Sequence, residues 1–250
     1  MRAAILTDVS KCIGCRECVR ACKLANGLGP ELPHRWNLAD GLSARSWTSV
    51  VEGPRGSFVR KQCRHCLQPA CVSACPVGAL RQTDSGAVIY DRERCMGCRY
   101  CMMACPFGVP RYEWDQPVPY VRKCTLCLQR LRAGQRPACT EACPTKATVF
   151  GDRGRLIEEA HRRIRERPEL YWPKVWGEEE VGGTSVLYVA PVDLTAVLAG
   201  RPLEEAPLPE RTRAAMQAVP FAFTGVVATM AGLRWVIERR MKRQAEEGDE

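Results

Sequence analysis

The stretch Cys95–Pro106 reads "CMGCRYCMMACP", four cysteines in eleven residues with proline directly after the last. Sixteen cysteines occur in the chain, and they form four such runs: Cys12, Cys15, Cys18, Cys22; Cys63, Cys66, Cys71, Cys75; Cys95, Cys98, Cys101, Cys105; and Cys124, Cys127, Cys139, Cys143. Runs one and three have the spacing C-x2-C-x2-C-x3-C, run two lengthens the middle gap to four, and run four lengthens it to eleven. Three thiolates within seven residues can wrap one iron–sulfur cube, each reaching a different iron. A fourth, carried on the next small helix, turns away to a second cube.

Zinc explains the pattern less well. It takes four ligands, usually as two separated C-x2-C pairs, so a tight triple plus a fourth cysteine leaves a surplus thiol. Run four alone, "CTLC" with "CTEAC", could pass for a zinc ribbon, but not beside its three siblings. Secreted disulfide scaffolds are short chains with a signal peptide, whereas this chain opens "MRAAILTDVSKCIGC" without an apolar h-region or a twin arginine. Proline follows the final cysteine in three runs (Pro76, Pro106, Pro144), while run one has Lys23 there. Sixteen thiols make four complete sets with none left over, which implies four [4Fe–4S] clusters.

A formal net charge of +9 invites a nucleic-acid reading. The excess is confined to residues 1–150, with 22 Lys and Arg against 11 Asp and Glu; the remainder has 15 against 17. An oxidised cube with four thiolates carries a charge of about −2, so four cubes bring the loaded chain close to neutrality. Arg16, Arg20, Lys61, Arg64, Arg99 and Lys123 lie within or beside the runs and are expected to offset that charge and raise reduction potentials, though part of the set is solvated surface. No basic stripe interleaved with aromatics appears, and no nucleic-acid partner is expected.

"CPVGAL" at 75–80, "CPFGVP" at 105–110 and "CPTKAT" at 143–148 mark an internal repeat. Short strands such as Ala87–Tyr90 are expected to flank the loops. The fold class is α+β: tandem bacterial-ferredoxin-like cluster-binding units, loop-rich, with a single C-terminal transmembrane helix. Residues 1–57 with 109–150 form one unit from runs one and four, and 58–108 an inserted unit from runs two and three. A peripheral segment, 151–210, holds the charged helix "GRLIEEAHRRIRERPEL" ending before Pro168, the strand "VGGTSVLYVAPVD" and a proline-rich connector.

Residues 211–250 hold the membrane helix and a basic tail. "AAMQAVPFAFTGVVATMAGL" at 214–233 is twenty residues without a charge, the length that crosses a bilayer. Arg234, Arg239, Arg240, Lys242 and Arg243 follow it, against Arg211 and Arg213 before it. The positive-inside rule then puts the C-terminus in the cytoplasm and the cluster head on the extracytoplasmic, periplasmic side, exported with a partner.

The four-run head, "LSARSWT" at 42–48, "KCTLCLQRLRAGQRPACTEACPT" at 123–145, "VGGTSVLYV" at 181–189 and the tail "VATMAGLRWVIERR" resemble the iron–sulfur beta subunit of membrane-bound formate dehydrogenases, over nearly the whole chain. The related electron-transfer subunit of membrane-bound nickel–iron hydrogenases is similar in plan. The resemblance implies paired ligation. One cube takes Cys12, Cys15, Cys18 and Cys143; its neighbour takes Cys22, Cys124, Cys127 and Cys139. A third takes Cys63, Cys66, Cys71 and Cys105, and a fourth takes Cys75, Cys95, Cys98 and Cys101.

The resemblance also implies a non-catalytic electron wire. It runs between a large catalytic subunit, formate dehydrogenase first, and an integral membrane subunit with a haem or quinone site. The alternatives are a nickel–iron hydrogenase or another molybdenum or tungsten oxidoreductase, and, more distantly, a zinc-stabilised binding or scaffold module. His65 lies between Cys63 and Cys66, where it either tunes a cluster or is an inert loop residue; His34 and His161 are read as surface residues. No histidine lies in the apolar span, so a haem there belongs to another subunit.

Overall fold

The strand β1 (Ala3–Asp8) is buried at every residue and organises everything around it. The computed structural model describes residues 2–29 and 40–247, so His34 lies outside the described residues. After β1 come α1 (Glu17–Ala25), β2 (Thr48–Glu52), β3 (Phe58–Gln62), α2 (Ala70–Ser73), β4 (Leu80–Gln82), β5 (Val88–Tyr90) and α3 (Tyr100–Ala104). The chain continues through β6 (Arg111–Tyr112), β7 (Val121–Arg122), α4 (Leu128–Arg132), α5 (Ala138–Glu141), β8 (Thr148–Asp152), α6 (Arg153–Glu166), β9 (Val186–Val189), α7 (Thr195–Ala199) and α8 (Glu210–Glu247). Met1–Leu208 and Pro209–Glu250 are two compact units.

In the first unit, β1 pairs antiparallel with β8, Ala3 opposite Asp152 through Thr7 opposite Thr148. It also pairs parallel with β9, Ile5 opposite Val186 through Asp8 opposite Val189. Alternation sends Ala3, Ile5, Val186 and Tyr188 into one core with Leu126, Cys139 and Trp176. The opposite face sends Ala4, Leu6, Leu187 and Val189 against Leu156 and Ala160 of α6. The segment expected to be peripheral, 151–210, therefore supplies a strand of the central sheet and the helix covering it. Its apolar run "SVLYVA" is a strand buried on both faces, which shows no polar alternation to a reader of the sequence.

At the end of β1 the fully buried Asp8 accepts from Tyr171 Oη at 2.8 Å and Arg163 Nη1 at 3.0 Å, tying α6 and the loop after it to the strand.

Three antiparallel hairpins complete the unit: β2 with β3, β4 with β5, and β6 with β7. Strands of two to five residues with one partner each are too short to stand alone. They serve as entries to the cysteine runs, since β3 ends one residue before Cys63 and β7 two before Cys124. The expectation that small helices carry each final cysteine holds only for Cys22, buried within α1. Cys75, Cys105 and Cys143 lie past the ends of α2, α3 and α5. The proline after each disfavours helical backbone at the residue before it, and Cys105 is extended at φ −78°, ψ 112°. Run one has Lys23 instead, so its helix continues through Cys22 to Ala25.

The repeat is a backbone repeat as well. The residue before the second cysteine of each run has positive φ: Gly14 (71°), His65 (48°), Gly97 (75°) and Leu126 (55°). So does the third residue after the last three final cysteines: Gly78 (63°), Gly108 (59°) and Lys146 (51°).

In the second unit α8 is one continuous helix whose large apolar side chains, from Met216 to Ile237, are exposed all round, the pattern of a span rather than of an amphipathic surface helix. Residues Glu210–Arg243 are long and apolar enough to cross a membrane. Within it Thr224 Oγ1 donates to the Pro220 carbonyl at 2.6 Å and Thr229 Oγ1 to that of Gly225 at 2.8 Å, leaving few polar groups unsatisfied.

Lys146 is exposed and left-handed, a conformation costing a non-glycine residue about 1 kcal/mol. Lys146→Gly is expected to raise the anaerobic thermal unfolding midpoint. Gly97→Ala, at a φ of 75°, is expected to lower it through about 1 kcal/mol of backbone strain.

Candidate metal centres

Turns with positive φ and short helices gather the cysteines from distant parts of the chain. Cys22, Cys124, Cys127 and Cys139 line one cavity with about 290 Å³ of empty volume. Cys75, Cys95, Cys98 and Cys101 line another of about 290 Å³. Cys12 lies within electrostatic reach of Cys15 and Cys143, and Cys18 of Cys12 and Cys143. Cys66 likewise faces Cys105, Cys63 and Cys71. None of the sixteen is joined in a disulfide. Among the described residues no three His, Cys, Asp or Glu side chains converge tightly enough for a single metal ion. Four thiols spread around a cavity suit a polynuclear cluster, whose irons each take one sulfur.

Some thiols also reach across to the next set. Cys18 feels Cys139, Cys124 feels Cys63, and Cys71 feels Cys101. The cysteines thus gather in groups drawn from different runs, Cys12 with Cys143, Cys22 with Cys139, Cys66 with Cys105 and Cys101 with Cys75.

Backbone amides point at the sulfurs. Ala79 N–H donates to Cys75 Sγ at 3.2 Å, Val109 N–H to Cys105 Sγ at 3.5 Å and Leu126 N–H to Cys124 Sγ at 3.3 Å. The first two follow the glycines of the C-P-x-G turns, which aim the next N–H back at the cysteine.

Burial pushes the thiols up: Cys22 and Cys71 to about 12, Cys101 to about 11, with neighbouring thiols adding to the effect. Cys63 goes the other way. Burial would raise it, but His65 and Lys123 outweigh that and draw it down to about 5. Thiols held this high ionise only when a metal replaces the proton.

The basic residues separate into two groups. Arg64 and Lys123 are buried, and Lys123 Nζ lies 3.7 Å from Cys63 Sγ and donates to the Cys124 carbonyl at 2.9 Å, so it bridges the second and third sets. Arg16 is exposed, Arg20 pairs with Glu17 at 2.6 Å, Arg99 stacks 4.4 Å over Trp114, and Lys61 is half-buried on the outer side of its hairpin. The residue missed by sequence is Arg60, 2% exposed, whose Nη2 donates to Cys139 Sγ at 2.9 Å. Its signal was the alternation of "FVRKQC", which puts Arg60 and Gln62 on one face two and four residues after Phe58; that segment was not read as a strand.

His65 is fully buried and accepts from Val88 N–H at Nδ1, 2.9 Å, beside Cys63, so it is no inert surface residue. His161 pairs with Glu178 at 2.9 Å on the surface of α6.

A family described as a 4Fe-4S dicluster domain matches residues 55–153, and a second so described matches residues 11–80. The chain is 34% identical over 292 residues to the hydrogenase-2 operon protein HybA of Escherichia coli O157:H7, covering 98% of this chain and 86% of that one. It is 37% identical over 246 residues to the nitrate-inducible formate dehydrogenase iron–sulfur subunit of Escherichia coli K12, covering 92% and 82%. A protein of Nitratidesulfovibrio vulgaris is 39% identical over 258 residues, covering 97% and 69%. The chain belongs to this family of iron–sulfur electron-transfer subunits, and its cofactors are four [4Fe–4S] clusters.

Anaerobically purified protein should be brown with about sixteen irons and matching acid-labile sulfide. Stripping the iron under reducing conditions leaves buried cations without counter-charge. Near-ultraviolet circular dichroism of the Met1–Leu208 unit should then be lost, and return when iron and sulfide are restored.

Proposed function

We propose that this subunit carries electrons between the metal centre of a formate dehydrogenase catalytic subunit and a membrane subunit with a haem or quinone site. The reading is supported by cysteines of different sets lying within electrostatic reach of one another, Cys18 of Cys139, Cys124 of Cys63 and Cys71 of Cys101, so that the four sets make a row. A row of this kind has two ends for two partners. When bound, each cluster supplies a site that takes and releases one electron.

The cysteines hold the clusters in the sets Cys12, Cys15, Cys18, Cys143; Cys22, Cys124, Cys127, Cys139; Cys63, Cys66, Cys71, Cys105; and Cys75, Cys95, Cys98, Cys101. Residues 1–57 with 109–150 and residues 58–108 act as the two ferredoxin-like units. Lys123 and Arg60 keep positive charge between sets, while the apolar residues packed around the thiols exclude water.

A hydrogenase partner is the second reading, favoured by the 86% of HybA that the chain covers. Metal analysis of the purified complex separates them: molybdenum or tungsten supports the first, nickel the second.

The span in α8 anchors the subunit in the lipid bilayer with its basic end in the cytoplasm, which places the cluster head outside. A head folded around its clusters crosses as a folded body in company with its catalytic partner. Protease added to spheroplasts should digest the head, and full protection would reject that placement. Truncation after Glu210 should release the complex from membranes.

Cys105→Ser tests the ligand sets. It should remove or convert the cluster held by Cys63, Cys66 and Cys71, about a quarter of the iron, and leave that of Cys95, Cys98 and Cys101 intact. Loss of only the latter in electron paramagnetic resonance would overturn the assignment.

A further inference from the structure

Arg60 is the most deeply buried cation near the thiols, and its placement is unusual. No carboxylate pairs with it among the described residues. Its Nε donates to Thr48 Oγ1 at 3.1 Å, and its Nη2 donates to Gln62 Oε1 and to Cys139 Sγ. That leaves Nη1 buried without an acceptor, and Nε2 of Gln62 is buried without one too. Both residues line the cavity of Cys22, Cys124, Cys127 and Cys139.

A buried guanidinium with an idle donor is costly unless negative charge stands opposite, and among the described residues the side-chain groups that accept from Arg60 are the Thr48 hydroxyl, the Gln62 amide and the Cys139 sulfur.

The cavity of Cys75, Cys95, Cys98 and Cys101 is a contrast. Val77, Ala79, Leu80, Met96 and Val121 line it, its polar contributions are the phenols of Tyr90 and Tyr112, and no cation does.

We propose that Arg60 and Gln62 are the potential-setting residues of the row, donating through Nη1 and Nε2 to the cluster held by Cys22, Cys124, Cys127 and Cys139, and that this cluster is consequently easier to reduce than the one in the cation-free cavity of Cys75. Hydrogen bonds and positive charge stabilise the reduced, more negative form, so they raise the potential. The row is then not level. It has a donor-rich second site and an apolar fourth site.

The inference rests on the ligand sets proposed above and is tested separately from them. The measurement is a redox titration of the purified complex followed by electron paramagnetic resonance, with the signal of the second set identified by Cys22→Ser. Arg60→Met is expected to shift that signal to lower potential by at least tenfold in its reduction equilibrium, about 59 mV for a one-electron couple.

Gln62→Leu, a milder change, should shift the second signal alone. Arg60→Lys should retain most of the wild-type value, and Lys123→Met should move the third signal instead. If Arg60→Met loses a cluster, Gln62→Leu carries the test. An unchanged potential in Gln62→Leu, an unchanged potential in an Arg60→Met protein that keeps full iron, or a second cluster harder to reduce than the fourth in the wild type, would overturn the proposal. A wild-type complex with fewer than four signals or with other ligands for the second set would instead overturn the ligand sets.

Discussion

Buried sulfur charge is the constraint on which this fold depends. The thiols of Cys22, Cys71 and Cys101 are held far above their ordinary pKa by burial, and Arg60, Arg64 and Lys123 are buried among or beside them. Neither arrangement is stable by itself: protonated thiols give the cations nothing to face, and ionised thiols without iron repel one another. A bound cluster resolves both at once. The smaller cores show the same dependence, for cysteines make up much of their contact surface: Cys71, Cys75 and Cys101 in one, Cys63, Cys105 and Cys124 in another. Elements of two to five residues around them have little else to pack on.

The same backbone turn recurs in all four runs but is reached in different ways. Gly14 and Gly97 adopt positive φ freely, whereas His65 and Leu126 do so under strain. In each strained case the surroundings hold the turn in place. The His65 ring accepts the Val88 amide, and the Leu126 side chain is buried in the main core while its N–H donates to Cys124. The two strained turns lie on the runs that open with Cys63 and Cys124.

Buried positive charge lies beside the cysteines. Arg60 donates to Cys139 Sγ and Lys123 lies beside Cys63 and Cys124, while the cavity of Cys75, Cys95, Cys98 and Cys101 is lined by apolar residues and two tyrosines. The central sheet fixes this arrangement from behind. Tyr188 of β9 donates from its hydroxyl to the Arg60 carbonyl at 2.7 Å and lies 4.2 Å beneath the Arg64 guanidinium. The segment after the last cysteine thus holds two of the buried cations in position, which a peripheral segment could not do.

Much of this was legible in the residues alone. Cysteine spacing determined the cofactor and its number, because iron–sulfur ligation demands particular intervals along a chain. Proline after Cys75, Cys105 and Cys143 marked where short helices stop, and a charge-free stretch of twenty residues marked the span. These are local signals, written in residues close together in sequence. Three features were decided only by tertiary structure: β9 as a central strand, Arg60 as a buried donor to Cys139, and the nearness of Cys63 to Cys124. Each depends on pairing between residues far apart in the chain, such as Ile5 with Val186 or Cys63 with Cys124. No interval along the sequence encodes that proximity, and only the packed fold brings it about.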